Sequence, residues 1–126
     1  VARLTRPLTV VITLTVASVA LASCGTSSAV ADARKSCVDV TRALVIERQS
    51  EQSGLTGARQ RTLEAAALSK LLKATPYAAA ATSADGSWNP LMTTINEAER
   101  VPLSHLVASL TRLCKVADSS TPYLGS

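Results

Sequence analysis

From Ala33 onward, apolar residues return every three to four positions, and no stretch alternates with a period of two. Ala33, Cys37, Val40 and Leu44, flanked by Val38 and Val45, predict a first helix over about 33–53. Its end, ERQSEQSG, is polar, so its last turns are expected to protrude or fray, with Gly54 as the stop. Leu63, Ala67, Leu71 and Ala74, with Leu68 and Leu72 beside them, predict a second helix over about 58–74. Thr75 and Pro76 then signal a break and restart, YAAAA a short helix, and SADGSWNP a loop with an Asp-Gly turn. Asn89 and Pro90 open a further helix to about Arg100, with Leu91, Ile95 and Ala98 inward. Pro102 opens the last, to about Ala117, on a stripe of Leu103, Leu106, Leu110, Leu113 and Ala117 with Val107 and Cys114 adjacent. Residues 118–126 read as a polar tail. The pattern predicts an all-α domain over 33–117.

The segment before that domain has a different character. Arg3 and Arg6 precede Leu8–Ala22, an uncharged run of about 15 residues. A membrane-spanning helix needs about 20, so the pattern predicts a cleaved export signal over 1–23. The run ends in Leu21-Ala22-Ser23-Cys24, which resembles the lipobox of bacterial lipoprotein precursors. That resemblance implies a diacylglyceryl group on the Cys24 thiol, cleavage between Ser23 and Cys24, and acylation, palmitate among the chains, at the new amino terminus. It further implies a protein held by lipid at the outer face of the cell membrane. Several acyl chains are needed because one holds a protein only weakly, at about 0.8 kcal/mol per buried methylene. The competing expectation is cleavage after Ala20-Leu21-Ala22, which releases a secreted protein with an unpaired cysteine. Residues 24–32 are expected to form a flexible linker between lipid and domain. Val1, read as a GTG start codon, and the heavy use of Ala, Arg, Thr and Val suggest a GC-rich, actinobacterial-type genome.

Composition adds two constraints. The 126 residues hold 13 Lys and Arg against 9 Asp and Glu. Setting aside Arg3 and Arg6 leaves a net charge of about +2, too weak to argue for nucleic acid. With no Phe, one Trp and two Tyr, the core must come from Leu, Val, Ile and Ala, so it is expected to be thin. A small thin core gains from a covalent staple. Three cysteines give one pair and one remainder, and lipidation gives Cys24 a use. Cys37 and Cys114 are then expected to form a disulfide after export. Their Cα atoms must come within about 7 Å. Three passes would leave them roughly 20–30 Å apart, whereas four passes, up-down-up-down, bring them together. The reversals fall near Gly54, between Pro76 and Pro90, and at Pro102.

Candidate chemistry is sparse. His105 is the one histidine and has no nearby metal-ligand spacing around it. Glu97 and Glu99 point to different helix faces, and Glu47 and Glu51 share a face expected to be solvated. Trp88 is either a core residue or a loop anchor for a partner. Met92, Tyr77 and His105 are the residues that could ligate haem, although no haem motif accompanies them. Four passes gather Arg34, Lys35, Lys70, Lys73, Arg112 and Lys115 at the end expected to carry the anchor. There they could face anionic head groups at about 1 kcal/mol each, or simply sit where helix C-termini favour cations.

The sequence therefore predicts a four-helix-type bundle, without catalytic residues, metal or cofactor. Its expected role is an interaction or assembly module for an envelope protein partner. The alternative is a carrier of a small apolar ligand, lipid or haem, in a cavity lined by Leu71, Met92, Ile95 and Leu110.

Overall fold

The computed structural model describes residues 24–124; the expected export signal over 1–23, including Ser23 of the cleavage position, lies outside the described residues. The first helix, α1, runs Cys24–Ser50 without interruption. At 1.5 Å per residue its 27 residues span about 40 Å. The expected linker over 24–32 is thus helical. The reason lies in its small residues: Ala29 is fully buried one turn before Ala33, and the stripe continues through Ser36, Cys37, Val40, Ala43, Leu44, Glu47 and Ser50. The polar end does not protrude, because Glu47 and Ser50 belong to the buried stripe.

The chain reverses over residues 51–56, where Gly54 takes φ 86°. Space is open around it, so the positive φ, not crowding, is what favours glycine. Helix α2 follows over Gly57–Leu72, with the Thr56 hydroxyl accepting from the Arg59 backbone N–H at 3.1 Å. Helix α3 covers Thr75–Ala84. Leu63, Ala67, Leu71, Ala74, Ala78 and Ala81 form one buried face across both, and both lie along α1. The break at Pro76 therefore does not turn the chain. Lys73 and Ala74 keep right-handed helical dihedrals, and the Ala74 N–H donates to Leu71 at 2.9 Å. Pro76 removes one donor while the direction is kept.

The second reversal is a 3-10 turn over Gly86–Trp88, set by Asp85, whose carboxylate accepts from the Ser87 N–H at 2.9 Å. Helix α4 spans Asn89–Glu97, with Leu91 and Ile95 fully buried. The third reversal is longer than expected. It takes residues 98–106 and includes a 3-10 turn over Leu103–His105, so the last helix, α5, begins at Val107 rather than Pro102 and ends at Ala117. Pro102 lies in extended backbone, at φ −54° and ψ 138°, which keeps it out of the helix.

Four passes result, up-down-up-down, with α2 and α3 sharing the second. No strand occurs among the described residues. The Cys37–Cys114 disulfide joins α1 to α5 with 5.4 Å between Cα atoms. Because α1 starts at Cys24, Cys37 sits at its middle and not near its start. The core is alanine-rich as composition requires, yet its largest fully buried side chain is Trp88. The tail is less polar in its packing than in its letters. Leu124 packs against the core, and Tyr123 and Leu124 lie beside Pro90, Arg112, Leu113 and Val116.

Candidate functional site

Cys24 is the first residue of α1, so a group attached there would join the bundle directly, with no irregular spacer between. The basic residues do not ring that tip. Arg34 and Lys35 lie ten and eleven residues along α1, about 15 Å from Cys24 at helical rise. Arg34 is also engaged: its guanidinium donates to the Ala117 carbonyl at 2.8 Å and the Ser119 carbonyl at 3.2 Å, closing the C-terminus of α5. Lys35 pairs with Asp32 at 3.4 Å and lies 6.0 Å from the Tyr77 ring centroid. Lys73, Arg112 and Lys115 are exposed and Lys70 half-buried. Lys70 and Lys115 lie in the last turns of α2 and α5 and Lys73 caps α2, where cations suit the helix dipole, while Arg112 lies further from the end of α5.

Trp88 is completely buried, which makes it a core residue and not a loop anchor. His105 is exposed in the 3-10 turn before α5, Met92 is half-buried on α4, and Tyr77 is exposed on α3. Among the described residues no group of three His, Cys, Asp or Glu side chains is placed to hold a metal ion. Leu71, Ile95 and Leu110 are fully buried. None of them, nor Met92, lines the three grooves found among the described residues at Glu47, Pro90 and Arg34.

The groove with chemistry in it lies at the other end of α1. Three segments meet there: the last turn of α1 with Glu47, the middle of α2 with Arg61, Glu64, Ala65 and Leu68, and the connection from Ala98 to Ser104. Between them is an open cleft of about 450 Å³. Its walls are mainly apolar: Ala65 and Leu68 on one side, Ala98, Val101, Pro102 and Leu103 on the other. The connection is shaped by its own backbone bonds, including Arg100 N–H to Glu97 at 2.8 Å and Leu106 N–H to Leu103 at 2.8 Å.

Glu47 is the unexpected member. Only 4% of it is exposed, and its Oε2 is buried without a hydrogen-bond partner. Its backbone carbonyl accepts from the Ser50 hydroxyl at 2.6 Å. Its carboxyl pKa is raised above 4.5, first by burial and then by the negative charges of Glu51 and Glu64; a hydrogen bond from the Ser104 backbone opposes the rise in part. Arg61 lines the same cleft but forms no ion pair with either glutamate among the described residues. An orphaned buried polar group costs about 1–3 kcal/mol, so this position is expensive for a structure of this size.

The polarity of ERQSEQSG hid the site. The signal was present nonetheless, because Glu47 falls three residues after Leu44 and continues the 33-37-40-44 spacing. No protein-family model, no curated protein and no solved structure matches the chain.

Proposed function

We propose that this chain is a small lipoprotein of the cell envelope, tethered through acylated Cys24 at the outer face of the membrane. In this reading it serves as a non-catalytic interaction module whose working surface is the cleft around Glu47. The lipobox-like Leu21-Ala22-Ser23-Cys24 supports the tether. The observation that carries the role is the position of the cleft. Glu47 stands 23 residues beyond Cys24 on one unbroken helix, about 35 Å along its axis. A protein anchored at one end of a stiff rod and open at the other presents its cleft away from the lipid surface, toward other envelope components.

Two measurements test the two parts separately. Intact mass of the chain from its own envelope should show cleavage before Cys24, added acyl chains, and the Cys37–Cys114 bond. Replacing Cys24 with Ser should release the chain from the membrane fraction; continued sedimentation with the envelope would remove the tether. For the working surface, a photo-crosslinking residue at Ala65 should give one discrete adduct in intact cells. The same residue at Val38, which is half exposed on the middle of α1, should give none. Equal labelling from both positions would remove the cleft from the proposal.

A further inference from the structure

From the cleft's charge and shape we infer its occupant: the ammonium group of a lysine side chain from a partner protein, seated against Glu47. This deepens the proposed interaction role and rests on it. The argument begins with what is missing inside the site. Glu47 Oε2 is buried and unpaired, and the nearest charges that act on it, Glu51 and Glu64, are of the same sign. Two carboxylates, Glu47 and Glu64, line one opening, and Glu51 acts on the first from outside it. The residues facing them from the 98–104 connection, Ala98, Val101, Pro102, Leu103 and Ser104, carry no charge. Against the carboxylates stands one cation, Arg61 on the rim, so negative charge is in excess and a further cation is the complementary charge.

Glu47 alone would satisfy any cation, and its surroundings narrow the choice. The walls formed by Ala65, Leu68, Val101, Pro102 and Leu103 match a methylene stem better than a hydrated ion. Only one carboxylate oxygen is orphaned. A guanidinium uses both oxygens of a carboxylate in its fork, whereas an ammonium is a point charge that one oxygen can serve. A lysine presents that group on a four-carbon apolar stem. Because Oε2 is out of contact with solvent, the stem must displace a rim side chain to reach it. Arg61, exposed and unpaired on the rim among the described residues, is positioned to swing aside. Binding would then convert a penalty into a charge-assisted hydrogen bond, and it would favour ionised Glu47, so affinity should rise with pH from about 4.5 upward.

The test uses the full chain in detergent solution, carrying Cys24→Ser so that acylation plays no part and failure of the tether cannot be confused with failure of the cleft. The probe is the capped pentapeptide Gly-Gly-Lys-Gly-Gly, followed through the backbone amide resonances of Glu47 and Ser104. Saturable shifts are expected with the lysine peptide, and binding at least tenfold weaker with norleucine in place of lysine. Glu47→Gln should weaken the lysine peptide tenfold or more, and Glu64→Gln, which leaves the buried Glu47 carboxylate in place, two- to threefold. Arg61→Ala should tighten it severalfold by clearing the rim. Equal binding of the norleucine peptide, or an unchanged affinity in Glu47→Gln, overturns the inference. Tighter binding of an arginine peptide overturns the choice of ammonium, and equal affinity for pentylammonium alone overturns the choice of a protein partner.

Discussion

The two halves of α1 lie on the same rod and are built by opposite means. Toward Cys24, small residues let the passes approach closely: Ala29 and Ala33 on α1, with Ala74, Ala78 and Ala81 on the facing pass. Two polar groups in that half find partners, while the Ser87 Oγ in the α3–α4 turn is buried without one. The buried Ser36 hydroxyl donates to the Ala74 carbonyl at 3.2 Å, and Arg34 closes the end of α5. A disulfide joins α1 to α5 at the boundary between the halves, since Cys37 is at the middle of α1. Toward Ser50 there is no covalent tie, the α4–α5 connection is turns and a 3-10 segment, and a buried carboxylate oxygen has no partner. The far half therefore carries a buried carboxyl without a full set of partners, which the near half does not. Such asymmetry is expected where one end is a support and the other an adaptable surface.

The comparison breaks first at the disulfide. Closing 77 residues of chain is worth about 4–5 kcal/mol by chain-entropy estimates. The double replacement Cys37→Ala, Cys114→Ala should therefore lose most of the stability, measured by urea unfolding followed through circular dichroism. If the midpoint hardly moves, the covalent tie is not what distinguishes the two halves. Trp88→Ala comes next. It empties the largest fully buried side chain of the core and should cost about 3–5 kcal/mol. A loss below about 1 kcal/mol would mean the tryptophan is dispensable to packing.

How much of this asymmetry the letters carry depends on whether the burial signal agrees with residue type. Four passes, the three reversals and the Cys37–Cys114 bond follow from periodicity and from the reach of a disulfide, and all are present. The helical residues 24–32 were hidden because Cys, Gly, Thr, Ser and Ala suit a linker by composition; only Ala29, placed one turn before Ala33, marks the buried face. Thr75 and Pro76 mark a break and restart, where proline costs a hydrogen bond and not a direction, and the turn itself falls at Gly86–Trp88, between Pro76 and Pro90. The cleft was hidden for the opposite reason. Glu47 holds the right register with the wrong polarity, and a charged letter is ordinarily the better guide to exposure.

A smaller change sharpens the contrast from the well-satisfied side. Ser36→Ala removes a buried hydroxyl that bonds the carbonyl at the α2–α3 junction. The Ala74 carbonyl keeps its helical donor, Ala78 N–H at 3.0 Å, so the loss should be about 1 kcal/mol. A shift in thermal midpoint of a few degrees would register it. No shift would mean that the hydroxyl is as easily hydrated in the unfolded chain, and that satisfied polar groups add little to this half.

The smallest effect, and the most discriminating, is expected at Glu47. Its folded pKa is raised above the ordinary 4.5, so between those two values the folded chain holds more protons than the unfolded one. Stability must therefore fall as pH rises from about 4.5 through the raised value, and stay lower above it. Glu47→Gln keeps the shape and the acceptor for Ser104 but cannot ionise. Its effect should be near zero or slightly destabilising at pH 4, and stabilising by about 1 kcal/mol at pH 7, where the carboxylate is buried without a partner. Parallel urea titrations of the two proteins across that interval read out Glu47 together with its coupling to Glu51 and Glu64, since every other carboxylate is common to both. A difference that is flat with pH would mean that Glu47 is solvated in solution. The far half of α1 would then be as well satisfied as the near half, and the negative field invoked for the cleft would lose its centre.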